Sequence, residues 1–479
     1  MKILIAGATG YVGGRLIPRL LDDGHAVRAL GRSKTKLQNR SWAKHKNLEI
    51  AEGDVTQYDS LIKSLDGCDA AFYLVHSMLP GQKDFEATDR AAALNMRLAC
   101  EEAGVKRIIY LSGLGEDSAE LSKHLKSRAE VAQILKDGKI PVTVLRAAMI
   151  IGSGSASFEI LRYLVDRLPA MITPRWVQTP SQPIAIRNVI GYLSGCLNCP
   201  ATEGKTFDIG GPEVLTYEKL MRIYAEEAGL PKRIILPVPV LTPRLSSYWI
   251  HLVTPVPAFI ARPLAEGLRN PVICKENEIT KLIPQKLLTP REAISFALKS
   301  TLDNSSISHW TDAGRFQSLE SAGEGDAKWA GGTLLMDEKK KEVTGREKEI
   351  WNRIISIGGR NGWYYADYLW SIRGFIDKMS GGVGLRRGRR SQTELRPGDA
   401  LDFWRVLEVQ DSKRLLLLAE MKLPGKATLE FRIDSNDGKS TLIQTARFWP
   451  RGLWGIIYWY FLSPFHHFIF SGMMSGLAS

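Results

Sequence analysis

The sequence predicts two successive domains, an α/β domain on a doubly wound parallel sheet and a smaller α+β domain on an antiparallel one. Three observations point there. From residue 1 to about 145, short β-branched runs alternate with stretches of helical period, and such strand–helix–strand repetition wraps helices around a parallel sheet. A Ser-, Gly- and Asp-rich stretch over 303–326 interrupts that pattern. After it come four strand-like runs parted by turn residues, which predict an antiparallel meander.

Taken in order, the strands of the first domain are expected over 2–7, 26–30, 48–54, 70–75, 107–113 and 142–147, and its helices over 13–23, 58–65, 85–103 and 125–137. Residues 150–300 are richer in proline, with strand candidates at 183–186 and 206–209 and a helix over 217–228. We read a domain over 1–302, with a core at 1–150 and a substrate-side subdomain at 150–300, then a linker at 303–329. The second domain, 330–479, opens with a helix over 346–357 and an aromatic-rich run over 362–375. Its strands are expected over 400–409, 414–423, 427–433 and 440–448, and a strongly apolar segment over 452–476 closes it.

At 479 residues the chain exceeds a single hydrophobic core, and 44% hydrophobic against 24% charged residues needs no disulfide or metal support. The five cysteines are few and scattered, which implies reduced thiols in a cytoplasmic protein. Cys196 and Cys199 form a lone CxxC without a second ligand pair, so no metal is expected. The chain opens on an apolar strand with no readable signal peptide. The net charge of +13 includes a basic run at 385–390. No stacking aromatics or known module accompany that run, which argues against nucleic acid. Either a solvated loop or attraction to anionic lipid or a phosphorylated ligand accounts for it.

The chemistry begins at Gly7-Ala-Thr-Gly10-Tyr-Val-Gly13, which follows a strand and opens a helix. That context is the one a dinucleotide fingerprint requires. Gly7 permits the turn, Gly10 lets backbone approach a pyrophosphate, and Gly13 lets helix and strand pack closely. Free amides at the helix start then face the phosphates. Where NAD-binding proteins carry an acidic residue at the end of the second strand, this chain has Arg32-Ser33. A guanidinium there suits a 2′-phosphate, so NADP(H) is favoured over NAD(H). Asp54, ending the third strand, is placed either to meet adenine or to cap the next helix.

Together these residues resemble the extended, atypical branch of the short-chain dehydrogenase/reductases that includes NmrA-like proteins, over about residues 1–300. The resemblance implies a Rossmann-type fold and a cofactor site at Gly7, Thr9, Gly10, Tyr11, Val12, Gly13, Arg32, Ser33, Asp54, Val55, Leu74, Val75, Ser112 and Arg128. Ser112, in YLSGLG, matches the family's catalytic serine. The family's Tyr-x-x-x-Lys pair is missing, and its places fall on His124 and Arg128. Arg128 can hold a ribose but cannot donate a proton, whereas His124 suits acid/base work near neutral pH. Two readings follow: an NADP(H)-dependent oxidoreductase using Ser112, His124 or the cofactor itself, or a non-catalytic dinucleotide sensor or structural protein.

The stretches WSIRGFIDKMSGGVGLRRGRR, ELRPGDALDFWRV and QTARFWPRGLWGIIYWYFLSPFHHFIF resemble a bacterial C-terminal domain of unknown function (DUF2867 type) with a START-like (SRPBCC) helix-grip fold. That implies a cavity between sheet and terminal helix for an apolar small molecule. Nineteen residues from Gly452 to Phe470 carry no formal charge, close to the length of a bilayer span. Pro464 and the pair His466-His467 interrupt them, and the aromatics are spread along the run instead of gathering at its ends. A helix buried against a sheet is expected, with peripheral contact at the inner membrane face or a true span as the alternatives. Trp363, Tyr364, Tyr365, Tyr368 and Trp370 are expected as plain core or as cavity lining.

Overall fold

The computed structural model describes residues 1–38, 40–75, 85–115, 123–238, 250, 253–254, 256, 258–267, 270–306, 332–379, 394–436 and 439–478. The chain forms two compact units, one over Met1–Asn304 and the other over Thr333–Ser479.

The first unit is built on seven parallel strands: β1 (Lys2–Ala6), β2 (Ala26–Gly31), β3 (Leu48–Glu52), β4 (Ala70–Tyr73), β5 (Arg107–Gly113), β6 (Val142–Ala147) and β7 (Thr206–Ile209). Their spatial order is β7-β6-β5-β4-β1-β2-β3, a doubly wound sheet whose direction of winding reverses between β1 and β4. Right-handed crossovers supply the flanking helices α1 (Tyr11–Asp22), α2 (Tyr58–Leu65), α3 (Phe85–Glu102) and α4 (Lys123–Lys136). Ile3, Leu4 and Ile5 are all fully buried, so consecutive residues of β1 are covered on both faces. Ile3 and Ile5 join the core beneath α1, while Leu4 and Ala6 join the one beneath α2 and α3. A continuous apolar run is what such a strand requires.

One expectation is corrected here. Thr206–Ile209, assigned to the substrate-side subdomain, pairs in parallel with β6 and extends the core sheet instead. Its short run of four residues resembles any subdomain strand, and only its partner 60 residues earlier reveals its place. The rest of 150–300 forms helices α5 (Ala156–Arg167), α6 (Ile186–Leu197) and α7 (Tyr217–Glu227) around short strand pairs, such as Ala170–Pro174 with Ile234–Val238. Of the stretch read as linker, 303–306 continues a helix that starts at Pro290, and 307–329 lies outside the described residues.

In the second unit six antiparallel strands form one sheet: β8 (Leu335–Glu342), β9 (Ala400–Leu401), β10 (Trp404–Gln410), β11 (Arg414–Ala419), β12 (Gly425–Asn436) and β13 (Lys439–Pro450). β9 through β13 are a meander, and β8 lies outside β13. Helices α8 (Glu347–Ile355), α9 (Asp367–Met379) and the long α10 (Gly452–Ala478) complete the unit. Its core gathers Leu415, Leu417, Leu429 and Phe431 from the sheet with Trp351, Trp363 and Met473 from the helical side. Trp363 and Trp370 are therefore core, whereas Tyr368 is exposed. The other sheet face carries an ion-pair ladder in which buried Glu430 meets Arg414 at 2.7 Å and also Arg447.

Three differences from the sequence reading have physical causes. β8, LMDEKKKE, went unseen because its charged residues alternate on an edge strand with hardly any apolar signal. The run expected over 400–409 breaks after Leu401, where Asp402 takes a left-handed φ of 53° and accepts a hydrogen bond from Trp363 Nε1 at 2.8 Å. The terminal helix is buried on one side only. The basic run 385–390 and the turn residues Asp437 and Gly438 lie outside the described residues.

Candidate cofactor site

The glycine loop sits at the carboxyl end of β1, at the point where the sheet's winding reverses. Gly7 adopts φ = +97°, and a Cβ there would stand 2.7 Å from the carbonyl oxygen of Leu74, just past β4. Only glycine meets both demands. Gly10 turns back so that its amide donates to Gly7 O at 2.9 Å, and it serves as N-cap of α1 without a side-chain hydrogen bond. A Cβ on Gly13 would overlap the Gly7 carbonyl, so the helix can seat on the loop only with glycine there. The amides of Tyr11, Val12 and Gly13 fall in the first turn, which lacks acidic residues. Their donors and the helix dipole face outward toward an anion.

Two arginines that sequence reasoning overlooked brace this loop. Arg40, itself buried, donates to Thr9 O at 2.7 Å, and Arg15 donates to Tyr11 O at 3.0 Å and to Ser153 O at 2.9 Å. The Arg15 guanidinium also lies 4.1 Å from the centre of the Tyr11 ring. A Cβ on Gly152 would run into the Tyr11 hydroxyl, so that side chain points at the segment after β6. The only sequence signal was a basic residue in a polar crossover, which has many other uses.

The adenosine side is built at the ends of β2 and β3. Arg32 is exposed there and makes no ion pair among the described residues. A groove of about 680 Å³ beside it is lined by Arg32, Glu52, Gly53, Asp54 and Gln57 and runs on to Arg28. Ser33 Oγ accepts from the Lys36 amide at 3.4 Å and so starts the short helix Lys34–Gln38. Asp54 Oδ1 accepts from the amide and hydroxyl of Thr56, at 2.9 and 2.8 Å. One of its oxygens therefore caps the turn before α2. Val55 is buried, and Leu74 and Val75 are half-buried where β4 ends.

The structure brings Ser112 and Arg128 together. Ser112 is buried on β5 with its hydroxyl 3.5 Å from the carbonyl of Arg128 on α4, and Arg128 Nη1 donates to Leu111 O at 3.2 Å. Gly113 makes room for them, since a Cβ there would press on Leu125 and Arg128. His124 belongs to the first turn of α4, but its side chain lies outside the described residues, as do 76–84 and 116–122. Two neighbours were not anticipated: buried Tyr73 and Tyr110, with ring centres 5.9 Å apart. Burial pushes both phenols above their ordinary range, which keeps them protonated. Buried Asp89 accepts from Ser127 at 3.1 Å in the same layer. No group of three or more metal-ligating side chains occurs among the described residues, and the five cysteines are unpaired.

Residues 7–162 match the NAD(P)H-binding family, and residues 329–473 match a family of unknown function, DUF2867. Among curated proteins, a (4-alkanoyl-5-oxo-2,5-dihydrofuran-3-yl)methyl phosphate reductase of Streptomyces griseus is 27% identical over 239 residues, 48% of this chain and 75% of that one. A 3 beta-hydroxysteroid dehydrogenase/Delta 5→4-isomerase of Mycobacterium tuberculosis is 32% identical over 120 residues, 23% of this chain and 31% of its own length. This chain thus spans about a third of that relative. Among solved structures, the Citrobacter sp. triphenylmethane reductase complexed with NADP(H) aligns with a TM-score of 0.51 at 22% identity. The alignment covers 62% of this chain and all of that one, a likeness of fold. The first unit is thus a Rossmann-type NAD(P)H-binding domain, and the second is an α+β domain on one antiparallel sheet.

Proposed function

We propose that the chain, NAD(P)H-binding through its first domain, is an NADP(H)-dependent reductase of an apolar, conjugated small molecule. One observation carries this reading: Arg32 stands exposed at the end of β2, beside the Gly7–Gly13 turn, where a carboxylate would select NAD(H). When bound, the reduced cofactor supplies a hydride. The chain's own residues do the rest. First-turn amides of α1 hold the pyrophosphate, and Arg32 pairs with the 2′-phosphate. Arg128, tethered by Leu111 O, orients the nicotinamide ribose, and the Ser112 hydroxyl turns from the Arg128 carbonyl to donate to a substrate oxygen.

Without a Tyr-x-x-x-Lys pair, the acceptor best suited to this site delocalises the charge that hydride addition leaves behind. Enones and quinones do so, and His124 or water then supplies the proton. The reductases among the relatives support this class. We read the second domain as a helix-grip module for an apolar ligand, a reading supported by its single antiparallel sheet and long terminal helix. The unpaired cysteines suit a cytoplasmic setting.

The test compares NADPH and NADH binding by nicotinamide fluorescence, then follows NADPH absorbance with a panel of quinones and enones. Arg32→Glu is expected to weaken NADPH binding by about 10- to 100-fold, the worth of a charge-assisted hydrogen bond, while NADH binding changes little. Equal affinity for the two cofactors in the unaltered protein, with no oxidation by any acceptor, would overturn the proposal.

A further inference from the structure

The second unit leaves a large apolar face in the open. α10 has no charged residue from Gly452 to Phe470, and a helix apolar on every side is ordinarily enclosed by protein or lipid. Only one side is enclosed here. Gly455 seats against Pro424 O, and Trp459 stacks on Phe448 with ring centres 5.6 Å apart. The opposite side presents Trp454 (74% exposed) and Phe461 (73%), with Ile457, Phe465 and Phe468. α9 is tied to it by side chains, since Arg373 Nη2 donates to Tyr458 Oη at 3.3 Å and Tyr365, just before α9, meets Phe468 with ring centres 5.2 Å apart. It adds a stripe of its own at helical spacing, Ile372, Phe375 (66%), Ile376 and Met379 (75%). Large apolar side chains gathered on one face, rimmed by charge, mark an interaction site.

Cations gather where α9 ends and α10 begins. Arg451 precedes α10 directly, and its amide donates to Pro424 O at 2.8 Å. Lys422, whose amide donates to Asp377 Oδ1 at 2.6 Å, is tied to the last turns of α9, and Lys426 opens β12 next to it. All three side chains are exposed. α10 carries no carboxylate, Asp377 is buried, and Asp367, at the far end of α9, is held to the Trp363 amide. A second copy of this face would bring no carboxylate from α10 to meet these cations. An anionic surface neutralises them. No helix among the described residues is long and apolar enough to cross a membrane.

We propose that the exposed face of α9 and α10 docks on an anionic lipid bilayer, both helices lying along the interface with Trp454, Phe461, Phe375 and Met379 in the acyl boundary and Lys422, Lys426 and Arg451 among the headgroups. Aromatic side chains on one face, with cations beside them, are what interfacial helices use.

The experiment sediments the full-length protein with vesicles of phosphatidylcholine, alone or mixed with phosphatidylglycerol, and follows tryptophan emission. Binding to the anionic vesicles is expected to be tenfold or more tighter, to weaken as salt rises, and to shift emission to the blue. Paired Trp454→Ser and Phe461→Ser changes are expected to weaken it about tenfold or more. Lys422→Glu and Arg451→Glu each lose about fivefold on anionic vesicles and nothing on neutral ones. These positions are exposed, and unchanged circular dichroism and an unchanged unfolding transition of the second domain would show that the variants fold. Absence of binding to either vesicle overturns the proposal. So does a concentration-dependent dimer, seen by light scattering and abolished by Trp454→Ser, that binds no vesicle. Retention in membranes after an alkaline wash would mean insertion across the bilayer and would overturn it as well.

Discussion

The two sheets of this protein solve burial in opposite ways. Inside the parallel sheet, side chains on both faces are covered, so Ile3–Ala6 of β1 and Ile108–Leu111 of β5 read as unbroken apolar runs. The antiparallel sheet buries one face under helices and gives the other to Glu430, Arg414 and Arg447. Its free edge, β8, turns charge inward: half-buried Asp337 and Lys339 pair at 3.0 Å, and Lys339 reaches His467 at 2.8 Å. Inward charge on an edge discourages pairing with another chain. A strand covered on both faces thus announces itself in sequence, whereas a charged edge strand such as β8 reads as solvated loop.

The sharpest test of the contrast is a substitution that only one sheet can feel. Gly13→Val forces a side chain into the Gly7 carbonyl, and is expected to abolish NADPH binding and to destabilise the first domain by about 3 kcal/mol or more. In calorimetry only the first domain's transition should move. If both transitions shift together, the two sheets do not unfold as separate units. Leu429→Ala makes the reciprocal change in the second core, where Leu429 is fully buried. It should lower that domain's stability by about 2–5 kcal/mol and leave NADPH affinity untouched.

The smallest effect is one of pH. His466 lies between Trp459 and Phe470, each 5.3 Å away between ring centres, and burial pushes its imidazole down to about 4. The unfolded chain binds a proton near pH 6.5 and the folded one does not, so stability is full above pH 6.5 and falls as pH drops toward 4. The loss should be about 1–3 kcal/mol in the second domain, read from urea midpoints across that window. His466→Phe should flatten the profile. An unchanged slope in that variant would show that another group governs the acid sensitivity.

The same contrast explains what could be read in advance. Six of seven strands in the first sheet were legible to within a residue or two because each is a compact apolar run between helices of clear period. β7 was found but misplaced, since local pattern says nothing about a partner 60 residues away. In the site, Gly7, Gly10 and Gly13 were legible because backbone geometry there admits no other residue. Arg15 and Arg40 were not, because an arginine that supports a carbonyl looks like any arginine in solvent. Tyr73 and Tyr110 were hidden in strands that read simply as core. The apolar tail was legible as a helix, while the openness of half its circumference was not, because composition does not say which faces find a partner.

β1 has a further consequence. It lies inside the finished sheet, bonded to β2 on one side and β4 on the other. Loss of Lys2–Ala6 would take out a strand bonded on both sides together with the turn at Gly7, and the domain would lose its fold and its nucleotide in one stroke.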